Sequence, residues 1–98
     1  MLRSKGYTIV ATNYRCKLGE LDIVARDGEE LVFVEVRSRA SSEHGDACDA
    51  VGPTKQRQVA RVAQAYLSLE QPKFTSCRFD VVAQTGEQLE HIIDAFRA

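Results

Sequence analysis

The stretch Gly19–Arg37, GELDIVARDGEELVFVEVR, decides how the rest of the chain is read. Apolar Leu21, Ile23 and Ala25 alternate with Glu20, Asp22 and Val24. Asp27-Gly28 then gives a strong two-residue hairpin signal, and ELVFVEVR returns as a second strand. A half-exposed hairpin would scatter its charges along one face. Here Glu20, Asp22, Glu35 and Arg37 gather at the end far from the turn, and apolar residues occupy both faces nearer to it.

With Asp27-Gly28 as the loop, Arg26 faces Glu29, Glu20 faces Glu35, Asp22 faces Phe33 and Val24 faces Leu31. Period-two alternation then places Glu20, Asp22, Glu35 and Arg37 on one face. Asp22 and Glu35 become diagonal neighbours, roughly 7 Å apart between backbones, within reach of one shared cation. Glu20 opposite Glu35 is a like-charge pair that needs compensation, and Arg37 offers some. The same face is apolar at Val24, Leu31 and Phe33, so the acids are expected at the edge of a core, where an unpaired carboxylate is costly. Two readings stay open: a solvated face of ion pairs, or a site where Mg²⁺ or Mn²⁺ takes oxygen ligands.

Upstream, GYTIVATNY (Gly6 to Tyr14) reads as a strand running into the polar loop NYRCKLG. Downstream, Ser38 to Val51 is small and polar and suits a loop with at most a short turn of helix. Val59, Val62, Ala63 and Tyr66 then fall at i, i+3, i+4 and i+7, the stripe of an amphipathic helix, with Pro53 in its first turn and Pro72 beyond its end. KFTSCRFDVVAQ predicts a further strand ending at Thr85-Gly86, and EQLEHIIDAF is a strand or a helix that periodicity does not decide. The whole order predicts one α/β domain over residues 1–98, built on a mixed sheet. The near-continuous apolar runs LVFVEV and FDVVA suggest strands covered on both faces, which a single helix cannot do. A helix upstream of Met1 or a partner subunit is expected to supply the second cover, and a homodimer would also protect the sheet edges.

With 44% hydrophobic and 28% charged residues the chain is neither disordered nor membrane-like, and no apolar run approaches a membrane span. MLRSKGYTIV lacks the apolar stretch and cleavage site of a secretory signal. Cys16, Cys48 and Cys77 are odd in number with no CxxC pair, which argues against a disulfide framework or a zinc site and fits a reducing cytoplasm. Formal net charge is -1, so any nucleic-acid binding needs a local basic patch. Lys55, Gln56, Arg57 and Arg61 crowd the start of the helix and, beside Arg15, Lys17, Arg37 and Arg39, could form one; otherwise they are a solvated helix face. Asp80 is expected to pair with Arg78 or a nearby backbone group rather than a metal. His44 and His91 have no ligand spacing and read as structural or exposed.

These blocks resemble the YraN-like family of bacterial proteins of uncharacterised function, which is similar to archaeal Holliday-junction resolvases and the wider restriction-endonuclease-like, or PD-(D/E)xK, nucleases. The resemblance rests on GYTIVATNYR, GELDIVARDGEELVFVEVRSR, GDACDAVGPTKQRQVARVAQAYL, CRFDVVA and HIIDAF, in that order. It implies a restriction-endonuclease-like mixed sheet with a flanking helix and a metal-dependent phosphodiesterase-type site. Asp22 resembles the family's first acid and Glu35 the acid of the (D/E)xK element, while Arg37 stands where lysine is commonest. Glu20 belongs to the same GExD block, and Lys55 and Gln56 match polar residues of the following helix. Members usually begin with a helix bearing a GE-containing motif; this chain starts at MLRSKGY, about where that helix should end, so that helix and one site carboxylate are expected to be missing. The implied function is a cytoplasmic Mg²⁺- or Mn²⁺-dependent endonuclease-like protein that acts on or binds branched or single-stranded DNA. Asp22 and Glu35 would hold the metal, Glu20 would assist, Arg37 and Lys55 would contact phosphate, and Gln56, Arg57, Arg39 and Arg15 would bind nucleic acid. The rival is a non-catalytic nucleic-acid or protein binding module on the same fold.

Overall fold

A computed structural model describes residues 2–39 and 52–96. The predicted polar loop, with His44 and Cys48, falls mostly outside them. Five strands, β1 (Thr8–Cys16), β2 (Gly19–Asp27), β3 (Glu30–Arg39), β4 (Ser76–Thr85) and β5 (Gln88–Phe96), form one sheet in sequence order, with α1 (Pro53–Glu70) between β3 and β4. The β3–β4 pair is parallel and the other three pairs are antiparallel, so the expected mixed α/β sheet is present. The undecided last element is strand β5, whose ladder with β4 fixes what its periodicity could not.

α1 forms where the apolar stripe predicts it. Val59, Val62, Ala63 and Tyr66 are its buried residues, Pro53 opens it, and Gln71 closes it in a left-handed conformation, donating its N–H to the Leu67 carbonyl. This stripe packs on Leu21, Val24, Leu31, Phe33, Phe79, Val81 and Phe96. Phe33, Phe79 and Phe96 stack in a row, with centroids 5.5 and 4.9 Å apart, and Tyr66 meets Phe33 edge-on. No helix among the described residues is long and apolar enough to cross a membrane.

The second sheet face is not left wholly to an outside partner. A 3-10 turn (Arg3–Lys5) lays Leu2 and Tyr7 over Ala25, Val32, Val34 and Val82, a smaller second core. An open apolar trough remains beside it, lined by Ile9, Ile23, Val36, Val82 and Leu89.

The central hairpin differs from expectation in one respect. Asp27 pairs with Glu30, and Arg26, Val24 and Ile23 pair with Leu31, Phe33 and Val34, so the loop is Gly28-Glu29 rather than Asp27-Gly28. Gly28, at φ 64, takes the first central position of the turn, where a positive φ is cheap only for glycine. Asp27 stays in the strand, its carboxylate paired to Arg78 at 3.3 Å. Partners therefore shift by two residues. An even shift preserves faces along the ladder, so the pairings Glu20–Glu35 and Asp22–Phe33 are replaced while Asp22 and Glu35 stay near one another.

Candidate metal and phosphate site

The β2–β3 ladder stops at Ile23–Val34, and beyond it the two strands are joined by side chains instead of backbone pairs. Asp22 Oδ2 accepts the Val36 N–H at 2.8 Å, and Glu35 Oε2 accepts the Asp22 N–H at 3.3 Å. Each carboxylate thus fills a place in the opposite strand's hydrogen-bonding edge. Backbone donors that the ladder would have used are satisfied, and two acids are drawn into the gap.

β1 contributes to this opening. Ala11 and Tyr14 both pack against the α1 side, as do Leu21 and Val24, a spacing of three that period-two alternation forbids. Asn13 lies between the first two in a left-handed conformation, φ 52, and Asp22 lies between the second two. Asparagine tolerates this region better than most residues. The irregularity reverses the faces on either side of it, so Asp22 stands where regular pairing breaks.

Glu35 is the centre of the site. Its side chain is 2% exposed, on the α1 side of β3, with Arg37 Nη2 at 3.0 Å and Lys55 Nζ, from the first turn of α1, at 3.6 Å, both on Oε1. Burial, and then the Asp22 charge, push its carboxyl above the ordinary glutamate range; the Asp22 N–H, Arg37 and Lys55 oppose that rise. Arg37 also donates to the Val36 carbonyl at 3.4 Å, so the guanidinium lies along the strand end rather than out in solvent.

The remaining sequence candidates lie farther out. Glu20 turns to Arg15, 3.6 Å away on the β1 side, where the Arg15 side chain is 77% exposed. Gln56 shares the first turn of α1 with Lys55, whereas exposed Arg57, two residues before buried Val59, lies on the opposite side of the helix from the core. Arg39 ends β3, and its side chain lies outside the described atoms. The structure brings together Asp22, Glu35, Arg37 and Lys55.

The donor set suits a hard divalent cation. Two carboxylates meet at an edge, and Mg²⁺ commonly binds through one or two carboxylates with water and substrate phosphate completing its shell. Among the described residues no group of three or more His, Cys, Asp or Glu side chains is placed to hold a metal ion, so such an ion would rest on Asp22 and Glu35. Arg37 and Lys55 are placed to meet a phosphate as well as Glu35.

A second polar cluster, on the other face, was only partly legible. Asp80 pairs with Arg78 at 3.0 Å, as its sequence setting suggested, but it also accepts from His91 at 2.7 Å and from the Asp94 N–H at 2.9 Å. Arg78 further meets Glu30 at 2.6 Å, Asp27 and the Tyr7 hydroxyl. Burial works against the guanidinium charge, but Asp80 and Glu30 outweigh it and hold the group above the ordinary arginine range. Tyr7 and His91 lie 71 and 11 residues from their partners, distances over which local spacing gives no signal.

The profile described as "Uncharacterised protein family UPF0102" matches residues 1–83. A UPF0102 protein of Lachnoclostridium phytofermentans is 47% identical over 98 residues, covering 99% of this chain and 83% of its own. One from Syntrophus aciditrophicus is 46% identical over 99 residues, covering 97% and 78%. A third, from Dictyoglomus thermophilum, is 38% identical over 101 residues, covering 97% and 86%. The chain belongs to the uncharacterised UPF0102, or YraN-like, family.

Proposed function

We propose that this chain is a restriction-endonuclease-like domain that binds branched or single-stranded DNA and, with Mg²⁺ or Mn²⁺ held by Asp22 and Glu35, hydrolyses a phosphodiester bond. One observation carries the reading. Where β2 and β3 part, two carboxylates interlock across the gap and two cations from different elements, Arg37 and Lys55, converge on the buried Glu35. A purely structural ion pair needs one cation; a second, brought from α1, suits a site that must also receive a phosphate.

Bound there, the ion would act as a Lewis acid on the phosphoryl oxygen and lower the pKa of a water. Asp22 and Glu35 set its position through bonds that tie each carboxylate to the opposite strand. Arg37 and Lys55 orient the phosphate and offset charge as it develops. The planar guanidinium of Arg37 suits two-pronged contact with phosphate oxygens, so its part is to position and stabilise. Glu20 and Arg15, paired at the rim, and Gln56 and Arg57 would hold the nucleic-acid backbone farther from the reacting bond.

A specific observation also favours the non-catalytic reading. At this site only two acids come together among the described residues, and the buried one already faces two cations. Labelled branched, flap and single-stranded DNA incubated in Mg²⁺ or Mn²⁺ against chelator separates the two. The nuclease reading expects metal-dependent cutting that Asp22→Asn and Glu35→Gln abolish while both variants stay folded. Retention of DNA without cutting would leave a binding module, and equal cutting by the variants would exclude this site. Pairing of two copies through the open edges β1 and β5 belongs to the same proposal, and light scattering that finds only monomer would remove it.

A further inference from the structure

The buried cluster on the second sheet face takes no part in the proposed chemistry, yet it contains a histidine placed between opposite charges. The His91 imidazole is 1% exposed, and its Nε2 lies 2.7 Å from Asp80 Oδ2. Its Nδ1 lies 2.9 Å from the ammonium of Lys5, 86 residues away in sequence. A lysine ammonium has no lone pair and can only donate, so Nδ1 accepts and the ring proton sits on Nε2, donated to Asp80. This hydrogen-bond pattern requires a neutral imidazole.

Lys5 ends the 3-10 turn that lays Leu2 and Tyr7 over the second core. That turn is held to itself by the Lys5 and Tyr7 N–H groups, both donating to the Leu2 carbonyl at 3.0 and 3.1 Å. Its polar ties to the sheet include Lys5 on His91 and the Tyr7 hydroxyl on Arg78, with the Tyr7 ring edge-on to His91 at 5.7 Å. Among the described residues, the charged and titratable groups that face His91 are Lys5 and Tyr7 from the segment before β1, and Asp80 and Arg78 from β4. Asp94 on its own strand is joined through its N–H to Asp80, and Asp27 and Glu30 act through Arg78. Asp80 alone would welcome an imidazolium, but Arg78 already holds that carboxylate with two nitrogens.

We propose that Lys5, His91 and Asp80 form a proton-sensitive latch that holds the Leu2–Tyr7 segment over the second sheet face and releases it when the imidazole is protonated. A proton on Nδ1 turns the acceptor that Lys5 needs into a donor and sets two positive charges against each other at 2.9 Å. The exposed lysine leaves, because the imidazole is fixed by Asp80 on its far side. The Leu2–Tyr7 segment then loses one of its polar ties to the sheet and keeps the Tyr7 hydroxyl on Arg78, so it loosens, and the trough at Ile9, Ile23, Val36, Val82 and Leu89 opens more often over Ala25, Val32 and Val34. A proton taken up on β5 thereby controls access to an apolar surface.

Hydrogen exchange of the intact chain tests this at the Lys5 and Tyr7 amides, with rates normalised for the intrinsic effect of pH. Between about pH 8 and about pH 5, protection there is expected to fall about fivefold in the native sequence, the size of a like-charge contact at a wet rim, while Val32 and Val34 in β3 hold theirs. His91→Gln, which keeps a donor for Asp80 but takes up no proton, and Lys5→Met, which removes the second charge, should each flatten that fall. Lys5 is exposed, so its variant carries the test even where His91→Gln does not fold. No fall in the native chain, an equal fall in Lys5→Met, or a parallel fall in β3 would overturn the latch.

Discussion

Asp80→Asn should weaken the fold more than most single changes, by an amount the structure sets. Asp80 is fully buried and accepts from Arg78 Nε and Nη2, His91 Nε2 and the Asp94 N–H. The substitution removes the charge and turns a donor amide toward at least one of these donors. Breaking a buried ion pair from one side costs about 3–5 kcal/mol, chiefly because the surviving charge stays buried. Arg78 retains Glu30 at 2.6 Å and Asp27 at 3.3 Å, so the lower end applies. For a domain of this size about 3 kcal/mol corresponds to a melting point lower by roughly 12–24 °C. Thermal and urea unfolding followed by circular dichroism would measure it, with Asp27→Asn as the comparison, since that carboxylate is half-exposed and its pairing should be worth about 1 kcal/mol or less. If the two variants melt within about 4 °C of each other, the network does not anchor β4 as described.

Two further outcomes follow from the site itself. The Glu35 carboxyl is held above its ordinary value, so between that value and its native one the folded state binds more protons than the unfolded state, and metal-free stability falls as pH rises. Glu35→Gln should abolish that slope in chelator, a result read from urea midpoints across the acidic range; a native-like slope in the variant would assign the titration elsewhere. Gly19→Ala should destabilise by about 1–3 kcal/mol in urea unfolding, because a β-carbon there would meet Gln58 Nε2 and Val62 Cγ2 at 3.1 Å and the residue sits at φ +144. A neutral Gly19→Ala would mean that the β1–β2 turn does not rest against α1.

The helix and its buried stripe were legible because a 3.6-residue pattern, an opening proline and a following proline agree over one continuous segment. The face shared by Asp22 and Glu35 was legible for a different reason. The turn was misplaced by one residue, which shifts strand partners by two and leaves the faces unchanged as far as the ladder runs, so Asp22 and Glu35 stay together despite the incorrect register while Glu20, beyond the break, leaves the group. What escaped the sequence depends on contacts between distant segments. The parting of β2 from β3 beyond Ile23–Val34 replaces ladder bonds with carboxylates, and the left-handed Asn13 turns the faces over in the neighbouring strand. Lys55 was expected at a phosphate, and only the packing of α1 on the sheet brings it to Glu35. Glu20 had the same local claim as Asp22, yet it turns to Arg15, since β1 offers it a cation on the other side. The cover of the second face by Leu2 and Tyr7, and the His91 contacts, likewise arise from parts of the chain that no short window joins.

Calorimetric titration of Mn²⁺ into metal-free protein at neutral pH puts the Asp22–Glu35 site to its most direct test. Saturable binding of a single ion is expected for the native chain, with loss of that heat in Asp22→Asn and in Glu35→Gln while both variants remain folded. Absence of saturable heat at millimolar Mn²⁺, or the same isotherm in all three proteins, would show that the two carboxylates join the strands and hold no metal.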